Sequence, residues 1–309
     1  MDLHRLWNFC AIILGWFAVF SAVSLLVGIY YTYVLEFCIF TVTSLAEKVI
    51  YMVFYHIFFI MLAWSYGMTI LNRPATPSKE FDLSDIEQGQ FVRQEKQDFH
   101  QDILQCIAKE LPIYTVTKNG NIRYCRICNL MMPDRCYHCL ACNKCVLKHY
   151  SHCFLVNNCV GFSNYKYYFQ LLFYVMLHCL FVCTTGLQYA MKFWTQELPY
   201  TDAKYPILYM VGVNAVLLLF IVPIFIYHCW LVGKNRTSAE NCKPLFFRNI
   251  PTNIGFSLGL SKNLKEVFGE EKKYWLLPVY TRKGDGCSFP TGYERENPEQ
   301  NGIGLLNRL

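Results

Sequence analysis

Residues 125–159 read CRICNLMMPDRCYHCLACNKCVLKHYSHCFLVNNC. Cys125 and Cys128 open this block, His138, Cys139, Cys142 and Cys145 follow, and His152, Cys153 and Cys159 close it. A Cys-x2-Cys turn brings two thiolates within reach of one ion, and zinc favours four soft or borderline ligands. One such pair says little. Several interlocked pairs with two histidines in so short a run point to metal. The competing reading, a redox dithiol, lacks the surrounding βαβ pattern that such centres carry.

Outside the block the chain is unusually apolar. Of its 309 residues 54% are hydrophobic, 17% aromatic and only 16% charged, with a net charge of +6. Soluble domains carry about 25% charge, so much of this surface must meet something other than water. Four apolar stretches flank the block, from about Ala11 to Val34, Val49 to Leu71, Tyr167 to Ala190 and Tyr205 to Val232. Each reaches the ~20 residues that cross a hydrocarbon core. Tyr30, Tyr31, Tyr33, Trp64, Tyr66, Tyr167, Tyr168, Tyr227 and Trp230 cluster near their ends, as interfacial rings do. Pro223 removes one backbone donor from the fourth and is expected to kink it. The first stretch is too long for a signal-peptide core and lacks a small-residue cleavage site, so it is read as retained.

Lys and Arg set the orientation. The first connection carries only Lys48, and the third carries Lys192 and Lys204 opposed by Glu197 and Asp202. The remaining basic residues lie in the N-terminus, the middle loop and the tail, which are therefore expected in the cytosol. A reducing compartment turns the sixteen cysteines toward metal or chemistry rather than disulfides. The sequon Asn235-Arg236-Thr237 would then face away from the glycosylating side.

The expected layout is an α-helical membrane protein with a cytosolic cysteine-rich domain between its second and third spans. Residues 1–71 hold the first two helices, 72–118 a solvated connector, 119–166 the two-metal domain, 167–232 the last two helices, and 233–309 a tail. The connector reads as weakly helical from about Ser84 to Leu111. In the tail, Phe256, Leu258, Leu264, Val267 and Phe268 can form an apolar face. Beyond about Asp285 the composition suggests disorder.

The block resembles that of the DHHC-type protein S-acyltransferases (palmitoyltransferases), in particular the subgroup of palmitoyltransferases 2, 15 and 20. The likeness is carried by Cys125 and Cys128, Pro133-Asp134-Arg135, His138-Cys139 with Cys142 and Cys145, Cys153, and Asn157-Asn158-Cys159-Val160-Gly161. Asn164-Tyr165-Lys166, Thr237-Ser238-Ala239-Glu240 and Asn263 through Gly269 extend it into the tail. The resemblance implies two structural zinc ions. One would be held by Cys125, Cys128, His138 and Cys145, the other by Cys139, Cys142, His152 and Cys159.

The same resemblance makes Cys153 the attacking thiol, which takes palmitoyl from palmitoyl-CoA as a thioester and passes it to a cytosolic cysteine of a membrane-associated protein. The chain departs from the family where the proton is handled. Asp-His-His-Cys is here Tyr150-Ser151-His152-Cys153, and the Pro-Trp that usually follows is Phe154-Leu155. General acid–base catalysis contributes about 10²–10⁴-fold. A free thiol of pKa about 8.5 retains some thiolate near neutrality, so a weakened transferase is the expectation. The alternative is an inactive zinc-stabilised membrane scaffold. His149 and Tyr150 are candidates to compensate for the lost pair. A RING-type ligase fits poorly, because its central Cys-x-His-x2-Cys order is missing.

Acyl-CoA needs cations for its phosphates and an apolar slot for its chain. Arg135 and Lys148, with Arg123, Arg126, Lys144, Lys234 and Arg236, supply charge that would serve phosphates or anionic lipid equally. The resemblance puts Ile29 and His178 at the closed end of the slot, although an intramembrane histidine also serves to bond a neighbouring helix. Bilayer, acyl-CoA and protein substrates are the expected partners, with no feature calling for nucleic acid.

Overall fold

The computed structural model describes residues 3–83, 97–195, 204–248 and 255–292. Its long helices follow the apolar stretches. Helix α1 (Leu3–Tyr31) continues as a π-helical segment to Thr41, beyond the expected end at Val34, because residues 34–40 stay apolar apart from Glu36. Helix α2 (Leu45–Leu71) starts where the Ser44 side chain accepts the Glu47 amide at 3.4 Å. A shorter helix, α3 (Gln97–Ile107), falls inside the expected weakly helical stretch, of which residues 84–96 lie outside the described residues. Helices α4 (Tyr165–Trp194) and α5 (Lys204–Lys234) complete the set, and α5 contains Pro223.

Among the described residues, four helices are long and apolar enough to span a membrane. Phe17, Phe20, Leu219 and Phe220 keep 69%, 67%, 73% and 65% of their surface exposed. So much outward apolar surface is covered by lipid rather than water. Between the helices Tyr33, Phe37 and Tyr55 are fully buried, and the Tyr33 hydroxyl meets Thr185 Oγ1 at 3.0 Å.

Between α2 and α4 the chain folds into short hairpins. Strands β2 (Tyr124–Cys125) and β3 (Leu130–Met131) pair, as do β4 (Tyr137–Cys139) with β5 (Lys144–Val146) and β6 (Ser151–Cys153) with β7 (Asn158–Val160). Strand β1 (Thr115–Val116) pairs across the chain with β8 (Phe246–Phe247) of the tail. Residues 72–118 are more than a solvated connector. Phe81, Leu83, Leu104, Ala108, Ile113 and Val116 are buried in one cluster with Cys125, Met131 and Leu147 of the hairpins.

The tail is bound back. Helix α6 (Ser238–Cys242) opens on a capping box made by Thr237 and Glu240. Helix α7 (Leu260–Phe268) buries Val267 and Phe268 against Tyr150, Tyr165, Leu231 and Val232, so the expected apolar face packs on the helix ends and the hairpins. The expectation of disorder from Asp285 does not hold over its first residues. Cys287, Phe289 and Thr291 are buried, because Phe289 closes over Phe256 and Arg135; residues 293–309 lie outside the described residues.

Arg135 joins the hairpins to this tail and is fully buried. It donates to both carboxylate oxygens of Glu240 at 2.6 and 3.1 Å, and to Asn235 Oδ1 and O at 3.0 and 2.8 Å. Lys148, equally buried, is paired with Glu266 of α7. Burial pushes the Lys148 ammonium down to about 7, with Arg135 and Arg282 adding to the shift and the adjacent Glu266 carboxylate offsetting it only in part. For Glu266, burial works upward, but Lys148 and Arg135 outweigh it and hold the carboxyl at about 2. Removing one partner of such a pair leaves an uncompensated buried charge, at a cost of about 3–5 kcal/mol. Glu240→Ala is therefore expected to lower the thermal midpoint of the detergent-solubilised protein by many degrees, and Glu240→Gln by less, because the amide still accepts from Arg135.

Candidate functional site

Alternation along the strands distributes the ligands. His138 and Cys145 are cross-strand partners on one face of the β4–β5 hairpin, while Cys139, the next residue, points to the other face. His138 and Cys145 meet Cys125 and Cys128, and Cys139 meets Cys142, His152 and Cys159. In each group the donor atoms all lie within 4.8 Å of one another. His138 Nδ1 lies 3.4, 3.3 and 3.8 Å from the sulfurs of Cys125, Cys128 and Cys145. His152 Nδ1 lies 3.9, 3.4 and 3.6 Å from those of Cys139, Cys142 and Cys159. Three thiolates and one imidazole converging with no open side is the closed set of a structural zinc site, and both groups fit it. Zinc there would hold the hairpins together.

Asn129 and Asn143, each directly after the second cysteine of a Cys-x2-Cys turn, take left-handed backbone at φ 53° and 49°. Asparagine tolerates that region better than most residues. The repeated placement gives both turns the same bend.

The same alternation acts on β6. His152 faces Cys159 and the second cluster, so Cys153 points the other way, toward the helices. Opposite it Asn158 donates to the carbonyls of Thr69, Ile70 and Asn72 at 3.0, 3.2 and 2.9 Å. These are the unpaired carbonyls at the end of α2. Next along the chain, Asn157 docks on α1, donating to the Ile12 carbonyl at 3.3 Å. Gly15 makes that possible, since a Cβ there would stand 2.1 Å from Asn157 Oδ1. The loop carrying Cys153 is thereby fixed to two spans.

Cys153 opens into an apolar cavity of roughly 630 Å³ walled by all four spanning helices. On α1 the lining runs from Phe17 to Leu26, about 13 Å of depth at 1.5 Å per residue. Such a slot suits a single hydrocarbon chain. Ile29 and His178 do not line it. Both are buried just beyond its last residues, three positions past Leu26 and Val175, and His178 lies against the Tyr55 ring at 5.1 Å.

Tyr168, which the sequence marked only as an interfacial ring, lines the same cavity as Cys153 and acts on its thiol. Burial pushes the Cys153 thiol up, and the Leu155 and Val156 amides and Tyr168 pull the other way without cancelling it. Neither expected substitute for the missing pair contacts that sulfur. His149 keeps both ring nitrogens buried and without a hydrogen-bond partner. Tyr150 is buried and stacked on Tyr165 at 3.6 Å between ring centres. Cys136, a further cysteine of the block, is fully buried in the hairpin core. Arg135 and Lys148, expected at the donor's phosphates, are turned inward onto Glu240 and Glu266 instead.

The sequence profile of the DHHC palmitoyltransferase family matches residues 118–244. Over 298 residues the chain is 50% identical to palmitoyltransferase ZDHHC20 of Bos taurus and 48% identical to that of Homo sapiens, covering 96% of this chain and 82% of each relative. It is 48% identical to palmitoyltransferase ZDHHC2 of Mus musculus over 292 residues, covering 94% of this chain and 80% of that protein.

A buried thiol with raised affinity for its proton is a slow nucleophile near neutrality. Alkylation of Cys153, followed by mass spectrometry of its peptide, is expected to accelerate steadily as pH rises from neutral. In Tyr168→Phe it should slow at every pH. A rate independent of pH would contradict this account of the thiol.

Proposed function

The chain belongs to the DHHC palmitoyltransferase family, and we propose that its protein S-acyltransferase chemistry runs through Cys153, with palmitoyl-CoA as donor. The observation that supports this most is the division of labour in the block. Eight Cys and His side chains close on two metal positions, and the thiol beside His152 is turned away from both, into a slot for an alkyl chain. In the first step the Cys153 thiolate attacks the donor's thioester carbonyl, and CoA leaves as a thiol carrying a proton. In the second, the thiol of a protein cysteine attacks the new thioester, and its proton returns to Cys153. The hairpins' own contribution is position. Tyr168 and the Leu155 and Val156 amides favour the thiolate at Cys153, against the effect of burial. The basic residues of the middle loop and tail support a cytosolic placement of this machinery, where membrane-associated proteins present their cysteines.

With Arg135 and Lys148 engaged, the half-buried Lys144 and the exposed Lys234 and Arg236 are assigned to the donor's phosphates. Turnover is slower than a base-assisted enzyme allows, because Tyr150 and Ser151 replace the aspartate and histidine that would take the proton. The surroundings still suit a carboxylate at position 150. Arg282 lies beside Tyr150 with Nε and Nη2 buried and unpartnered.

Incubating the purified protein with labelled palmitoyl-CoA tests this reading. Hydroxylamine-sensitive label is expected on the wild type and absent from Cys153→Ala; no label on a zinc-replete wild type would favour the inactive scaffold. The double change Tyr150→Asp with Ser151→His is expected to raise the labelling rate at least about tenfold, the low end of a general-base contribution. Because Ile29 is buried beyond the slot's deep end, Ile29→Ala should shift donor preference toward longer chains, read as the ratio of stearoyl to myristoyl labelling. An unchanged ratio would remove Ile29 from the slot.

A further inference from the structure

Helix α7 ends at Phe268, and the chain beyond it returns to α4 as a short loop, residues 274–280, that reads YWLLPVY. The loop lies along one face of α4, where Lys166, Gln170 and Tyr174 follow one another at one-turn spacing. Lys166 Nζ donates to the carbonyls of Tyr274 and Val279 at 2.8 and 2.9 Å. Gln170 Nε2 donates to those of Trp275 and Leu277 at 2.8 and 2.9 Å, and the Tyr174 hydroxyl to that of Leu276 at 2.7 Å. Pro278 brings no N–H that would need a partner. The Trp275 indole donates to the Gly269 carbonyl at 2.9 Å. A loop in water leaves such carbonyls to the solvent. Here they are taken up by a helix, while the apolar side chains face outward: Leu276 and Tyr280 keep 60% and 58% of their surface exposed, and Leu277 is exposed as well.

We infer that residues 274–280 are a membrane-seated loop, with Leu276, Leu277 and Tyr280 in contact with lipid acyl chains. Depth supports this. Leu172 and Val175 of α4 line the slot below Cys153, and Tyr174, which holds the Leu276 carbonyl, lies between them in the same turn. The loop therefore reaches the part of α4 that walls the acyl slot. Further along α4, Leu180 and Leu187 are exposed apolar side chains that the bilayer covers, so lipid already surrounds this helix. Backbone that is neither helix nor closed barrel enters hydrocarbon only where protein groups satisfy it. Lys166, Gln170 and Tyr174 meet that condition. The tail is thus an anchor in its own right, and nothing in this placement depends on turnover at Cys153.

The test places the full chain in phosphatidylcholine nanodiscs doped with a phosphatidylcholine that carries a diazirine on its acyl chain. Light converts the diazirine to a carbene, which marks whatever touches the chain. Trypsin cuts after Lys273 and Arg282 and so releases the loop as one peptide. Lipid adducts are expected on that peptide at Leu276, Leu277 or Tyr280, and a water-soluble diazirine should leave those three residues unmarked. Gln170→Leu with Tyr174→Phe removes the donors to Trp275, Leu276 and Leu277. In that variant the lipid adduct should fall at least about threefold, because the freed carbonyls draw the loop toward water. A wild-type loop without lipid adducts, in discs whose α4 and α5 peptides carry them, would overturn the inference. Protection from both reagents would also overturn it, by placing a protein surface on the loop, and so would an undiminished adduct in the double variant.

Discussion

Successive side chains on a β-strand point to opposite faces, and two short strands apply that constraint where it matters. On β4 it sends His138 to one metal position and Cys139 to the other, so a single hairpin is clasped from both sides. On β6 it commits His152 to the second cluster and thereby turns Cys153 toward the membrane. The metal positions do not touch the acyl chemistry. They fix the register that decides which way the Cys153 sulfur faces. A hairpin this small has no core with which to resist a slip of one residue, and such a slip would exchange the directions of His152 and Cys153.

The rest of the structure keeps that hairpin against the bilayer. Asn158 closes the end of α2, Asn157 enters the notch at Gly15 on α1, and Lys166 at the start of α4 donates to the carbonyls of Tyr274 and Val279 in the tail. Arg135 and Lys148 extend the same connection through Glu240 and Glu266. Arg135 and Lys148 also carry left-handed backbone, at φ 63° and 43°, a strained conformation that this saturated network holds in place. Tyr150 and Ser151, in place of the family's aspartate and histidine, leave this framework whole.

Much of this was legible in the residues. Four uncharged stretches announced the spans, and the spacing of Cys125 through Cys159 announced metal. How the eight ligands divide came from resemblance, and its physical cause, strand alternation, needed the hairpins to be seen. What stayed hidden depended on partners distant in the chain. A basic residue such as Arg135 looks like a phosphate ligand until Glu240, more than a hundred positions away, is found against it. Phe289 follows a polar, glycine-containing stretch that composition marks as loose, yet it covers that same arginine. Tyr168 carried only the signal of an interfacial ring, whereas the first turn of α4 places it in the same cavity as Cys153.

The claim on which everything else rests is that two metal ions set the direction of Cys153. X-ray absorption at the zinc edge, with metal analysis of the reduced, purified protein, examines it directly. Two zinc atoms per chain, each with three sulfur neighbours and one nitrogen, is the predicted result. Substantially less than two zinc per chain, or ligation dominated by oxygen, would contradict it.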